Sequence, residues 1–162
     1  MSARISDPGG RISLREVEAA DLPTLFEHQN DPVANQMAAF PPRDHEAFMA
    51  HWKKVLADEK VIKRTILFEN EVAGSVLCFE RGQLQIGYWL GREFWGHGIA
   101  SRAVWQFVSL IPIRPLWAHV AKHNGASIRV LEKCGFKLAG EDRAAAATGG
   151  EVVDEFVYVL SE

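Results

Sequence analysis

The spacing of apolar positions changes several times along the chain, and each change predicts an element. Residues 11–17 alternate, with Ile12 and Leu14 between polar neighbours, which reads as a short first strand. Asp21 ahead of Leu22 and Pro23 supplies an N-cap and an N-terminal proline for a helix reaching about residue 31. Residues 43–58 place Phe48, Trp52, Val55 and Leu56 at helical spacing, after Pro41 and Pro42 end the preceding segment. From residue 61 the period shortens to that of strands, over 62–69, 72–80 and Gln83–Leu90. The turns Glu69-Asn70-Glu71 and Arg81-Gly82 join them into an antiparallel meander. Residues 97–110 return to a helical stripe of Ile99, Ala103, Val104, Phe107, Val108 and Ile111, with Pro112 and Pro115 bracketing its end. Leu116–Ala121 then reads as a strand, 124–134 as a helix, 136–142 as a strand, and Val152–Leu160 as a last strand rich in β-branched and aromatic residues. The order β-α-α-β-β-β-α-β-α-β-β predicts one layered α/β (α+β) domain over residues 11–162, its sheet antiparallel early and mixed later. Residues 1–10 read as a flexible tail and 144–150 as a flexible hairpin loop.

Composition removes classes without naming a chemistry. A chain of 162 residues, 48% apolar and 24% charged, suits one soluble globular domain. Its apolar runs are broken well short of the roughly 20 residues that cross a bilayer. The first 11 residues have no apolar h-region, so no secretory signal and no membrane association are expected. With 18 basic and 21 acidic residues the net charge is -3, a poor match to a phosphate backbone, and nucleic acid is not an expected partner. Cys78 and Cys134 sit in apolar segments without metal-ligand spacing; they read as core thiols in a reducing cytoplasm, with no metal expected.

The candidate chemistry lies where Gln83–Leu90 runs through Gly91-Arg92-Glu93-Phe94-Trp95-Gly96-His97-Gly98 into a helix. A strand feeding a glycine turn at a helix N-terminus gathers free N–H groups and the positive end of the helix dipole, which together hold phosphate. Gly98 is followed by Ile99 and Ala100 rather than Lys and Ser or Thr, so the segment is not a Walker A loop. The stretch Ala118-His119-Val120-Ala121-Lys122 offers no acid for a ribose, which argues against a dinucleotide fold. One strand later, Asn124 caps a helix that aligns Ser127 and Leu131 on one face, with Gly135 closing it and Phe136 opening the next strand.

Together these segments resemble the two central motifs of the GNAT superfamily of N-acetyltransferases, in particular the branch related to Rim-type ribosomal-protein N-terminal acetyltransferases. Ile86-Gly87-Tyr88-Trp89-Leu90 is similar to that branch's fourth strand. Trp95-Gly96-His97-Gly98-Ile99-Ala100 resembles its pyrophosphate loop. Asn124, Ser127, Leu131-Glu132-Lys133 and Gly135-Phe136 resemble its second motif. The two early helices and a last strand containing Asp154 fall in the family's order, so the resemblance covers nearly the whole chain after residue 11.

The resemblance implies a mixed, mostly antiparallel sheet of about seven strands with about four helices, splayed between the fourth and fifth strands. Acetyl-CoA is the implied cosubstrate and an amine the acceptor. The backbone of Trp89 and Leu90 is implied to pair with the pantetheine arm. The N–H groups of Phe94, Trp95, Gly96, His97, Gly98, Ile99 and Ala100, with Ser101 following, are implied to hold the pyrophosphate. Asn124 would touch the pantetheine or the leaving group, and the Leu90 N–H would stabilise the oxyanion. Relatives commonly form homodimers, which the apolar final strands would suit.

Three departures from the family pattern matter. Glu93 stands where relatives carry Gln or Arg, so it is expected to point away, leaving Arg92 or the loop backbone to bind the anion. Arg102 replaces a frequent Glu; it either draws the CoA phosphates or faces solvent. Leu131 occupies the position of the Tyr that protonates the thiolate in many relatives, which leaves Ser127 as the candidate. Gln85 stands where a catalytic Glu often lies and cannot act as a base. Glu141, Asp154, His119 or a water chain remain, with water relayed to Glu141 or His119 favoured. The acceptor site is expected between residues 21 and 58 and at the last hairpin, where Asp31, Asn35, Met37, Phe40 and Trp52 either line a pocket or pack helices on the sheet. Two functions stay open: an active N-acetyltransferase, or a CoA-binding module with little catalysis.

Overall fold

A computed structural model describes residues 11–145 and 152–162. Seven strands, β1 (Ile12–Glu16), β2 (Ile62–Phe68), β3 (Glu71–Arg81), β4 (Gln83–Leu90), β5 (Leu116–Ala121), β6 (Lys137–Ala145) and β7 (Val152–Leu160), form one sheet in the order β1-β2-β3-β4-β5-β7-β6. The β1–β4 meander is antiparallel, as the alternation predicts. β4 and β5 are the parallel pair, and they meet in register only at Gln85 and Trp117. Beyond that point, among the described residues, the C-terminal half of β4 is not in register with β5, which is the splay that the resemblance implied.

Five helices flank the sheet: α1 (Leu22–Gln29), α2 (Pro32–Ala38), α3 (His45–Ala57), α4 (Ile99–Ser109) and α5 (Gly125–Lys133). The sequence pattern suggested about four, because it carries α1 up to residue 31 and leaves residues 32–38 as a loop. Asp31 instead caps a new helix, its side chain accepting from Val33 N, with Pro32 in the first helical position. The main core lies between one sheet face and α4 and α5, where Ile99, Ala103, Val104, Phe107 and Leu131 pack on Val76, Ile86, Leu116, Ala118 and Tyr158. A second cluster, Leu22, Leu25, Phe48, Trp52 and Val55, fixes α1 and α3. Phe48 and Trp52 thus pack helices on the sheet and do not line a pocket. Both cysteines are free and buried, and burial pushes their thiols up, to about 11 for Cys78 and about 12 for Cys134. Among the described residues no helix is long and apolar enough to cross a membrane.

Two local features go beyond the sequence reading. Asp21 stands at the cap position of α1 without capping it. Its buried carboxylate takes two hydrogen bonds of 2.8 Å from Arg15, one of 2.7 Å from Thr65 Oγ1 and one of 2.9 Å from Glu18 N. Opposite Ile66 and Leu67 of β2, β3 carries one extra residue, Ala73, between Val72 and Gly74. A Cβ at Gly74 would stand 2.1 Å from the carbonyl oxygen of Trp89. The 1–10 tail, and residues 146–150 of the proposed hairpin loop, lie outside the described residues. Ala144 and Ala145 continue β6, paired with Val153 and Val152.

Candidate active site

The pleat of β4 arranges the site. Gly91 N donates to Ala73 O at 2.8 Å, so in this antiparallel ladder the backbone groups of Gly91 and Trp89 face β3 and those of Leu90 face the opposite side. That side is the splay. The Leu90 carbonyl there accepts from Trp95 Nε1 at 3.0 Å, while the Leu90 N–H points into the gap that β5 leaves open. The polar backbone of Trp89 is committed to Ser75 across the ladder, which narrows the implied pantetheine partners to Leu90. Side chains alternate the other way. Tyr88 reaches Ser127 on α5, and Trp89 turns to the opposite face, where its Nε1 donates to His28 O at 2.9 Å and its ring meets Phe40 edge-on.

After β4 the chain makes a 3-10 turn, Arg92–Phe94, and then Gly96 and Gly98 with φ of +81° and +74°. L-residues rarely adopt that region, so glycine is required twice within three residues. The 3-10 turn consumes two of the amides expected to bind the anion: Phe94 N donates to Gly91 O and Trp95 N to Arg92 O. Helix α4 opens on Gly98 with no side-chain cap. The N–H groups of its first turn, Ile99, Ala100 and Ser101, are therefore without the capping partner a helix start normally has. A Cβ at Gly96 would meet nothing within 4 Å, so the turn is open on the side where a pyrophosphate would lie. These features fit an anionic cosubstrate. The Ile99 side chain itself is buried in the core and contributes only its backbone.

These elements border a cavity of about 690 Å³ whose walls include Tyr88, Trp89, Leu90, Phe94, Trp95, Gly96, Gly98, Ile99, Ala100, Ser101, Asn124 and Ser127. The structure therefore brings together nearly all the residues expected around the cosubstrate. Helix α2 adds Ala34, Met37 and Ala38, and α5 adds Arg129 and Lys133. The two cations were not anticipated, although their spacing from Asn124 puts them on successive turns of one helix. Asn124 Oδ1 caps α5 by accepting from Ser127 N at 3.2 Å, which leaves its amide N–H2 for a ligand.

Other expected residues lie elsewhere. Arg92 and Glu93 both border a separate cavity of about 350 Å³. Glu93 points away as expected, but Arg92 does too, held by Asp31 at 2.8 Å. The exposed His97 does not line the larger cavity. Glu141 on β6 is ion-paired with Lys122, and His119 on β5 bonds Glu155 through Nδ1 at 3.2 Å; neither borders the cavity among the described residues. Asp154 pairs with Arg143. Buried Asn35 donates from Nδ2 to Gln29 O and serves the α1–α2 corner. Arg102 folds back over the glycine turn, its Nη1 3.3 Å from where a Gly98 Cβ would be and 3.5 Å from His97 O. Its charge thus hangs over the glycine turn. Arg102→Ala is expected to weaken CoA binding about three- to fivefold at low salt and less at high salt, since a solvated charge is screened; calorimetric titration at two ionic strengths checks it, and an unchanged affinity would sink the role.

A splayed β4–β5 pair with an uncapped, glycine-opened helix between them defines an acyl-CoA-binding transferase fold. A family model, the acetyltransferase (GNAT) domain, matches residues 11–137, and the chain belongs to that family. It is an acyltransferase whose cosubstrate is acetyl-CoA. Over 93% of its length it is 25% identical to the uncharacterized N-acetyltransferase p20 of Bacillus licheniformis, covering 92% of that protein. Its fold matches the self-immunity acetyltransferase MccE, solved with acetyl-CoA and AMP, with a TM-score of 0.79 at 21% identity, covering 98% of this chain and 95% of that one. It also matches RimL, a ribosomal L7/L12 alpha-N-protein acetyltransferase, with a TM-score of 0.74 at 22% identity and coverage of 94% and 91%.

Proposed function

We propose that the protein transfers the acetyl group directly onto a primary amine, carried by a small molecule or by a peptide N-terminus in the cytoplasm. The observation that carries this reading is that the uncapped first turn of α4, the Leu90 N–H and Ser127 all belong to one cavity that also reaches α2. The Leu90 N–H is aimed where a thioester carbonyl gains negative charge; one such donor is typically worth about 10²–10³ in rate. When the C–S bond breaks, the electron pair leaves on sulfur, and Ser127 is the hydroxyl placed for it.

At the acceptor end, Ala34, Met37, Ala38 and the Trp89 ring are apolar. The carboxylate that lines the cavity, Glu132, sits on α5 and accepts from Tyr158 Oη at 3.1 Å. Such a lining favours an amine on an apolar or peptide-like body over a polycation. An alkylamine, with a pKa of about 10, must lose a proton before attack. We assign that proton to water leading to His119 rather than to Glu141, because Lys122 neutralises Glu141 while His119 has an unpartnered Nε2. With Nδ1–H donated to Glu155, that Nε2 carries the lone pair.

The test is thiol release from acetyl-CoA with a panel of monoamines, polyamines and N-terminal peptides, followed by a pH profile of kcat/KM. Turnover with at least one monoamine or peptide is expected, and His119→Ala is expected to lower kcat/KM. CoA binding without release by any amine would leave a CoA-binding module instead.

A further inference from the structure

Tyr88 Oη and Ser127 Oγ lie 2.5 Å apart, 39 residues distant in sequence, where β4 crosses the first turn of α5. We propose that Tyr88 orients the Ser127 hydroxyl so that its proton faces the leaving sulfur, which makes Tyr88 a positioning residue for the departure of CoA. The proposal rests on the transferase reading above and adds to it a residue outside the pattern by which the second motif is recognised.

The geometry alone allows either oxygen to donate; the chemistry selects one. A phenol is the stronger acid of the two and the better donor. Burial pushes the ionisation of Tyr88 well up, so it keeps its proton throughout the working range. Among the described residues Ser127 is the hydrogen-bond partner of Tyr88 Oη, and the half-buried phenol gives its proton to the acceptor it has. Ser127 Oγ therefore accepts, and its own proton is left over. Nothing on the helix takes that proton: Ser127 is in the first turn, where the backbone has not yet supplied the i−4 carbonyl of a mid-helix serine. What remains in front of Ser127 is the cavity.

The consequence is directional. A serine free to rotate spends its time in three staggered wells, whereas one that must accept from Tyr88 is held in the well that presents O–H to the opening. The two hydroxyls keep their protons through the reaction. The C–S bond breaks as the C–N bond forms, sulfur takes the electron pair and a hydrogen bond from Ser127, and the proton that finally makes the thiol is the one the acceptor nitrogen loses as it becomes an amide. Tyr88 thus lowers the basicity of the leaving sulfur through Ser127.

The experiment compares Tyr88→Phe, Ser127→Ala and the double variant by two readouts. The first needs no acceptor: CoA labelled with 13C at the carbon bearing sulfur is bound to each protein and its thiol titrated by NMR. Wild type is expected to hold the thiol pKa below that of free CoA, Tyr88→Phe and Ser127→Ala each to raise it by about one unit, and the double variant to raise it no further. The second is steady-state turnover with an acceptor from the panel. Here kcat is expected to fall about tenfold in each single variant and not further in the double, with KM for acetyl-CoA and the melting temperature close to wild type. A thiol pKa equal to that of free CoA in wild type, a Tyr88→Phe titration matching wild type while Ser127→Ala moves, or additive losses in the double variant would each overturn the proposal. If no amine turns over, the transferase reading fails while the titration still decides whether Tyr88 acts through Ser127. Should Tyr88→Phe lower the melting temperature sharply, Tyr88 is chiefly a fastener between β4 and α5 and the proposal falls.

Discussion

Gly74→Ala is expected to cost at least about 3 kcal/mol of stability, and to lower turnover in whatever fraction still folds. The new Cβ would lie 2.1 Å from the Trp89 carbonyl oxygen and 3.0 Å from the Leu90 Cα, and both are backbone atoms with no rotamer to move into. Either β3 lifts off β4 or the end of β4 shifts. Because Leu90 aims its N–H from that end, the second outcome misplaces the proposed oxyanion donor, for which about 1 Å is a serious error. A melting curve and kcat together check this. Gly87→Ala, one pleat back on β4, is the control: its Cβ meets only Phe79 Cε1 at 3.6 Å, an ordinary contact. It is expected to leave stability within about 1 kcal/mol of wild type, with any change in the direction of gain, since alanine narrows the unfolded ensemble. A Gly74→Ala protein as stable and active as the Gly87→Ala one would refute the close-approach argument.

The second large effect is at Asp21. Burial alone would raise its pKa, but the Arg15 hydrogen bonds, the Glu18 N–H, the Thr65 hydroxyl and the Arg15 charge together lower it to about 2. A carboxyl whose folded pKa lies below its unfolded value of about 3.9 adds stability above that value and loses it as pH falls towards 2. Its contribution at neutral pH is about 2 kcal/mol from this linkage. Asp21→Asn, which also leaves the part-buried Arg15 with the more distant Glu18 at 3.8 Å as its charge partner, is expected to cost about 2 to 3 kcal/mol, or roughly 5–10 °C in Tm for a chain of this size. The gap between wild type and variant should close between pH 4 and 2. A gap that is constant across that range would show that the ion pair is not its source.

Much of this was legible in the sequence, for identifiable reasons. The boundaries of β4 and β5 are legible because breakers flank them, Gly82 and Gly91 around β4 and Pro115 ahead of β5, and β7 is legible because it is rich in β-branched and aromatic residues. The glycine turn and the Asn124 cap were legible because they are local: every group they use lies within a few residues. Helix α2 was missed because PVANQMA is short, has no apolar stripe and is flanked by prolines, so nothing in its period separates it from a loop. The commitment of the Phe94 and Trp95 amides escaped for a similar reason, since a 3-10 turn leaves no hydrophobic period. The Tyr88–Ser127 contact and the Arg92–Asp31 pair join residues far apart in the chain and were beyond any local pattern. Gly74 is an intermediate case. A glycine within a strand is itself a signal of close backbone approach, but which strand approaches is a tertiary fact.

The pleat at the end of β4 carries a last implication. Successive side chains of a strand must point to opposite faces, so Tyr88 and Trp89 deliver adjacent positions of one strand to two walls of the same cavity, one beside Ser127 and the other beside Phe40 and α2. On the proposed reading, the amine end and the thiol end of the site are set from opposite faces of β4 and meet in that one space. A library that varies Met37, Phe40 and Trp89 changes the wall opposite the Tyr88–Ser127 hydrogen bond while keeping both of its partners, which makes the end of β4 a natural starting point for retargeting.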